Sequence, residues 1–127
     1  MIRIGLDGMG GDYAPSETVK GAVEAVAQLR EEDVIYIFGN EDLIQAELDN
    51  CKYSGERIQV VGTTEVITND DSPVKAVRRK KDSSMVVGLN YLKEEKVDVF
   101  IYRIFVTQGD DVKLLKNNAL REETVVI

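Results

Sequence analysis

The 127-residue chain contains no histidine. The commonest general base at neutral pH and the commonest metal ligand are therefore both missing. A serine–histidine hydrolase is excluded, because no imidazole can activate a hydroxyl. The one cysteine, Cys51, cannot form an internal disulfide, which fits a reducing cytoplasm. No segment approaches the roughly 20 apolar residues that a membrane-spanning helix needs. The chain opens on a strand-like run ending at Asp7, unlike a signal peptide with its charged and apolar regions. The expected location is cytoplasmic, with any membrane contact peripheral to the inner membrane face. Internal repeats, low-complexity tracts, domain linkers and calcium-loop spacing are absent too.

What is present suits one soluble domain. Apolar residues make up 43% and charged residues 31%, an ordinary balance for a chain that can bury a core. The net charge of −7 would repel a polyanion over most of the surface, so no nucleic-acid partner is expected.

The pattern along the chain is β-α-β-α-β. Ile2-Arg3-Ile4-Gly5-Leu6 alternates and then stops at Asp7, as a strand feeding a glycine-rich turn. Ser16 is placed to cap a helix carrying Val19, Ala22, Val23, Val26 and Leu29, which should end between Arg30 and Glu32. Val34-Ile35-Tyr36-Ile37-Phe38 is continuously apolar, as in a strand covered on both faces. Asn40 is placed to cap a helix with Leu43, Ile44 and Leu48, and Ile58-Gln59-Val60-Val61 forms a third strand. This alternation favours a parallel sheet with helices on its faces. Pro73 suits the first turn of a helix through Val77, and Asp82 or Ser83 caps another with Met85, Leu89 and Leu92 on one face. Residues 97–106 are apolar and β-rich. A short helix over 112–120 and a strand over 124–127 complete a strand-helix-strand reading of the tail, residues 102–127.

Two segments are candidates for chemistry. Asp7-Gly8-Met9-Gly10-Gly11-Asp12 lies where an open α/β sheet places its ligand site, beyond a strand's carboxyl end. Yet it lacks the lysine and hydroxyl of a P-loop and the glycine spacing of a dinucleotide-binding turn. Asp7 and Asp12 also oppose a simple phosphate cradle. The competing reading is a tight turn that needs positive φ at one or two glycines. The second segment crowds Lys75, Arg78, Arg79, Lys80 and Lys81 into seven residues, followed by Asp82-Ser83-Ser84. It reads as a phosphate or acidic-partner site, with arginine suited to bidentate contact. The competing reading, and the usual one for a charge run, is a solvated helix face balanced by Asp70, Asp71 and Asp82.

The two segments together carry a family resemblance. Leu6-Asp7-Gly8-Met9-Gly10-Gly11-Asp12-Tyr13-Ala14-Pro15 resembles the opening motif of the PlsX family of phosphate acyltransferases. Val74-Lys75-Ala76-Val77-Arg78-Arg79-Lys80-Lys81-Asp82-Ser83-Ser84-Met85 resembles a second motif of that family, with Ile67-Thr68 and Asp71-Ser72-Pro73 fitting just upstream. The resemblance covers residues 1–101. It implies a Rossmann-like three-layer α/β/α fold with a mostly parallel sheet, incomplete relative to the family, and a homodimer. It implies transfer of a fatty acyl group from acyl carrier protein to inorganic phosphate, giving an acyl phosphate for phospholipid synthesis. No metal or organic cofactor is implied. The substrate and phosphate-binding candidates are Asp7, Gly8, Gly10, Gly11, Asp12, Arg78, Arg79, Lys81, Ser83 and Ser84. No catalytic residue is assigned.

The resemblance stops abruptly. After Val97-Asp98-Val99-Phe100-Ile101 the family continues with a Ser-Ala-Gly-Asn-Thr-Gly-Ala loop, whereas this chain reads Tyr102-Arg103-Ile104-Phe105-Val106-Thr107. A frameshift, a premature stop or an altered expression product would each give this pattern. A shortened chain of weak or no activity is the expectation. Two alternatives remain: a small anion- or nucleotide-binding α/β module, and a non-catalytic fragment that self-associates.

Overall fold

The computed structural model describes residues 1–11, 13–68 and 70–102, together with a two-residue strand at 125–126. The elements are β1 (Arg3–Asp7), α1 (Ser16–Val26), β2 (Val34–Gly39), α2 (Glu41–Asn50), β3 (Ile58–Gly62), α3 (Pro73–Arg79), α4 (Ser84–Lys93), β4 (Val99–Tyr102) and β5 (Val125–Val126). The strands form one all-parallel sheet in the order β3-β2-β1-β4-β5. From β1 the chain builds outward through β2 and β3. It then crosses back through α3 and α4 to place β4 on the other side of β1. The order of building therefore reverses between β1 and β4.

Side-chain alternation divides the core between the two faces of the sheet. Ile35 and Ile37 of β2 point to one face and pack with Val19, Ala22 and Val26 of α1 and Ile44 and Leu48 of α2. Phe38 of β2 and Phe100 and Tyr102 of β4 point to the other face and pack with Met85, Leu89 and Leu92 of α4. This is the three-layer α/β/α, Rossmann-like arrangement expected from the sequence. On the α4 side the aromatic rings set the spacing. Phe38 meets Phe100 edge-on at 5.6 Å and Tyr91 edge-on at 4.9 Å. Phe100 lies so close to α4 that a Cβ on Gly88 would fall 2.2 Å from its ring. Gly5 on β1 clears the other side, where a Cβ would stand 3.0 Å from the same ring.

The helix starts follow the expected chemistry at two positions and depart from it at a third. Asn40 caps α2 by accepting a hydrogen bond from the Leu43 N–H at 3.0 Å. Ser83, rather than Asp82, caps α4 by accepting from the Val86 N–H at 3.2 Å. Ser16 is not the cap of α1: it is the first helical residue, and Pro15 holds the capping position without a side-chain bond. Thr18 ties down this end instead, its hydroxyl donating to the carbonyls of Pro15 at 3.0 Å and Gly8 at 2.6 Å. Helix α1 also ends at Val26, earlier than its apolar spacing predicted, and the chain turns through Ala27, Gln28 and Leu29.

The amino end of β1 is clamped by two carboxylates. Asp33 is almost fully buried and accepts hydrogen bonds from the N–H of Ile2 at 2.8 Å and of Arg30 at 3.1 Å. Asp98 accepts from the Arg3 N–H at 2.7 Å and pairs with the Arg3 guanidinium at 2.9 Å. Both carboxyls are held below the usual carboxylate range. The main cause is the bond from the Ile2 N–H for Asp33 and the Arg3 side chain for Asp98. No helix among the described residues is long and apolar enough to cross a membrane. The expected helix over 112–120 lies outside the described residues, and so does the stretch 103–106 of the expected long strand. The expected terminal strand is seen as Val125–Val126, paired with β4.

Candidate functional site

A cavity of about 220 Å³ opens beyond the carboxyl ends of β1 and β4, at the point where the strand order reverses. Open α/β sheets place their ligands at such a crevice. Leu6 and Asp7 from β1 and Ile101 and Tyr102 from β4 form its base, while Gly10 and Gly11 form one wall. Tyr13, Ala14, Glu17 and Thr18 close it from the start of α1. Among the described residues no lysine or arginine lines it. With two carboxylates and several apolar groups, this cavity suits an uncharged, partly apolar group better than a free anion.

The glycine loop is held rigidly in place. The Gly8 N–H donates to the Phe38 carbonyl at 2.8 Å, stitching the loop to the end of β2. A Cβ at Gly8 would stand 2.6 Å from the Ile37 side chain, so this approach needs glycine. Gly11 takes φ of 99°, the left-handed geometry expected for one of these glycines. Asp7 turns back on the loop and accepts from the Met9 N–H at 2.9 Å, and the Gly10 N–H bonds the same carboxyl. The N–H groups of Gly8, Met9 and Gly10 are thus committed inside the fold. These three N–H groups are therefore not free to cradle a substrate in this arrangement.

Asp7 also joins the two sequence motifs. It sits on the α4 side of β1, and the side chain of Ser84, in the first turn of α4, hydrogen-bonds it. Ser83 and Ser84 are both buried. Burial pushes the Asp7 carboxyl above the usual range, against the opposing pull of its three hydrogen bonds. The partners of Asp7 are two backbone N–H groups and a serine. Asp12 lies outside the described residues.

The basic segment lies elsewhere. Arg78, Arg79 and Lys81 are exposed, and none lines the glycine-loop cavity. Lys80 is a structural member of the run: its ammonium bonds the Asp71 carboxylate at 2.7 Å and the Val66 carbonyl at 2.8 Å. Asp82 is engaged by the Thr64 hydroxyl at 2.5 Å and the Thr64 N–H at 3.1 Å. Among the described residues Lys80 is the member of the run that pairs with a carboxylate, while Lys75, Arg78, Arg79 and Lys81 are exposed, as on a solvated face. Arg78 and Lys81 instead line a groove of about 530 Å³ between α3 and α4, with Val77, Val86, Leu89, Asn90 and Lys93. Among the described residues, no group of three or more cysteine or carboxylate side chains converges as a metal site would require.

Sequence reasoning missed Thr18, Glu17, Ile101 and Tyr102 at the first cavity, and Lys93 and Asn90 at the groove. None belongs to a motif: Glu17 and Thr18 follow the glycine loop on α1, Asn90 and Lys93 lie further along α4, and only Ile101 and Tyr102 arrive through the parallel crossover. Tyr102 stands at the position where the resemblance breaks. It stacks on Phe100 at 5.5 Å, and its buried hydroxyl has no hydrogen-bond partner among the described residues. Burial raises the pKa of this phenol.

An all-parallel three-layer sheet with a cavity at its strand-order reversal defines a ligand-binding α/β module of the doubly wound class. Comparison with known proteins narrows the class. The family described as fatty acid synthesis protein matches residues 2–103, and the chain belongs to this family. A phosphate acyltransferase of Clostridioides difficile is 47% identical over 100 residues, which cover 79% of this chain and 29% of that protein. A phosphate acyltransferase of Alkaliphilus oremlandii is 52% identical over 101 residues, covering 79% and 29%. One from Syntrophomonas wolfei is 49% identical over 100 residues, covering 79% and 31%. The chain therefore spans about 30% of the length of these curated relatives.

Proposed function

We propose that residues 1–101 form the N-terminal part of a site that transfers a fatty acyl group from an acyl carrier protein thioester to inorganic phosphate. The observation that carries this reading is the glycine loop of the family motif. It forms the wall of the cavity at the strand-order reversal. In the reaction a phosphate oxygen attacks the thioester carbonyl carbon, the carbon–sulfur bond breaks, and the thiolate leaves and takes up a proton. The product is an acyl phosphate. Phosphate is already nucleophilic at neutral pH, so positioning and charge neutralisation matter more than a strong base, and the lack of histidine is no obstacle.

The cavity fits the thioester end of this chemistry. Leu6, Ile101 and Tyr102 offer apolar contact to the first part of an acyl chain. Asp7, kept towards its protonated form by burial, faces the cavity as a hydrogen-bond donor for the carbonyl oxygen or the departing sulfur. Gly8, Gly10 and Gly11 shape the wall and fix Asp7, and Ser84 ties that carboxyl to α4, with Ser83 capping the helix beside it. Among the described residues no cation lines this cavity, so the charges that neutralise the phosphate would come from outside residues 1–101. The working protein on this reading is a cytoplasmic homodimer with peripheral access to the membrane.

For the 127-residue chain alone, acyl phosphate formation should stay at background. Tyr102 occupies the place where the family's small-residue loop begins. The test is an assay of acyl phosphate from acyl carrier protein thioester, run beside the Clostridioides difficile relative. Substituting alanine for that relative's counterpart of Asp7 should lower its kcat at least tenfold, with its fold retained by circular dichroism. Unchanged kcat in that variant would remove Asp7 from the reaction, and robust turnover by the 127-residue chain would refute the claim that its site is incomplete.

A further inference from the structure

The groove between α3 and α4 is distinct from the cavity at the glycine loop, and the two share no lining residue. Three cations, Arg78, Lys81 and Lys93, line it together. Elsewhere Arg3 pairs with Asp98, Arg30 with Glu32 and Asp33, Lys80 with Asp71 and Lys96 with Glu94. Arg57 is bonded to the backbone carbonyls of Asp33 and Arg30. Arg78, Lys81 and Lys93 have no acidic partner within salt-bridge distance among the described residues, as is also true of Lys20, Lys52, Lys75 and Arg79, but these three share the lining of one groove. Yet the chain carries 23 acidic side chains against 16 basic ones. Three unneutralised cations converging on one groove repel each other, and an anion with more than one charge would relieve that repulsion.

The rest of the lining adds a second requirement. Val77, Val86 and the buried Leu89 make an apolar floor, and Asn90 adds an amide that can both donate and accept. The volume of about 530 Å³ falls within the range of about 300–1,000 Å³ that holds small-molecule ligands, and exceeds what a bare phosphate would fill. We propose that this groove is a binding site for a phosphate monoester carrying an apolar chain, its phosphate held by Arg78, Lys81 and Lys93 and its chain lying on Val77, Val86 and Leu89. This site stands independently of the transfer reaction.

The competing role for these cations is local. Arg78 lies in the last turn of α3 and Lys93 in the last turn of α4, where each favours its own helix dipole. That role would change stability and leave binding untouched, so a binding readout separates the two.

The test is a titration of the 127-residue protein with octyl phosphate below its micelle concentration. Inorganic phosphate, octanoate and phosphatidic acid vesicles are the comparison arms. Affinity is read by calorimetry and the site by backbone amide shifts in NMR spectra. Octyl phosphate should bind at least tenfold more tightly than either inorganic phosphate or octanoate and shift the amides of Val77, Lys81, Val86, Leu89 and Asn90. The double variant Arg78→Ala, Lys93→Ala should lose at least tenfold in affinity. Val86→Asp should lose a similar factor while keeping every cation. Equal affinity for the three small ligands, shifts centred on the glycine loop, or unchanged affinity in both variants would overturn the proposal. So would vesicle binding without binding of monomeric octyl phosphate, since that would make the cations a surface patch. Absence of binding in every arm would overturn it as well.

Discussion

The two ends of β1 use carboxylates in opposite ways. At the amino end, Asp33 and Asp98 accept backbone N–H bonds, and Asp98 adds a guanidinium pair. Both are held in the ionised form. At the carboxyl end, Asp7 also accepts backbone bonds but has no cation, and burial pushes it towards the protonated form. One end anchors the strand, and the other carries a perturbed acid beside an open cavity. Perturbed groups in clefts mark functional sites more often than scaffolding. The same strand therefore has a structural end and an end that the proposed transfer reaction would use, at the position where open α/β sheets place their ligands.

The largest expected effect breaks the support of the carboxyl end. Gly88→Ala would place a methyl group 2.2 Å from the Phe100 ring, which is already confined by Gly5. α4 must move away from β4, at a cost of about 3 kcal/mol. Its first turn would then carry Ser84 away from Asp7. Thermal unfolding should show a clearly lower Tm, and a Tm within a degree of wild type would contradict the packing described.

Next in size is Gly8→Ala, with a new methyl 2.6 Å from the Ile37 side chain and 3.0 Å from the Phe38 carbonyl. The expected loss is about 1–2 kcal/mol. Amide exchange should rise at Met9 and Gly10 while Ile2 and Arg3, at the other end of the strand, stay protected. Equal deprotection at both ends would erase the contrast.

The pH dependence sharpens the comparison further. Asp33 and Asp98 have lowered folded pKa values, so their contribution is full above the unfolded value of about 4 and is lost as pH falls through the folded value. Asp7 is raised, so the sign reverses. Its burial costs nothing while it is protonated, and stability declines as pH climbs from about 4 through the folded pKa. Asp7→Asn keeps an acceptor for the loop N–H groups but cannot ionise. The Tm of this variant relative to wild type should rise between pH 4 and pH 7. For Asp98→Asn the relative Tm should fall as pH rises towards about 4 and stay level from there to pH 7. Parallel slopes for the two variants would mean that Asp7 is not a perturbed acid.

The smallest expected effect concerns the basic segment. Lys80→Met removes the bond to Asp71 and the bond to the Val66 carbonyl, and should lower Tm slightly but measurably. Lys81→Met should leave Tm unchanged. Equal losses would show that the two lysines have the same role.

Much of this was legible in the sequence, and for definite reasons. Continuous apolar runs gave β2, and Asn40 and Ser83 marked helix starts through side chains that serve as caps. The Asp7–Asp12 loop and the basic run stood out by composition. Helix α1 was read too long because Leu29 keeps the apolar spacing, although the chain has already turned to reach Asp33. Ser16 was read as a cap because its type fits, but the first turn is held by Thr18. The contact of Asp7 with Ser84 depends on the crossover that brings α4 back over β1, and no local pattern encodes that. Nor does sequence separate Lys80 from Lys81. They are neighbours in one run, and only the placement of Val66 and Asp71 decides which one meets a carboxylate.

The most direct measurement joins residues 1–101 of this chain to the remainder of the Clostridioides difficile relative, replacing the matching segment. Acyl phosphate formation is then followed from acyl carrier protein thioester. The account predicts a folded chimera that makes acyl phosphate, and loss of that activity when Asp7→Ala is added. A folded chimera without activity, or one indifferent to Asp7, would contradict the claim that the carboxyl end of β1 is a working part of the transfer site.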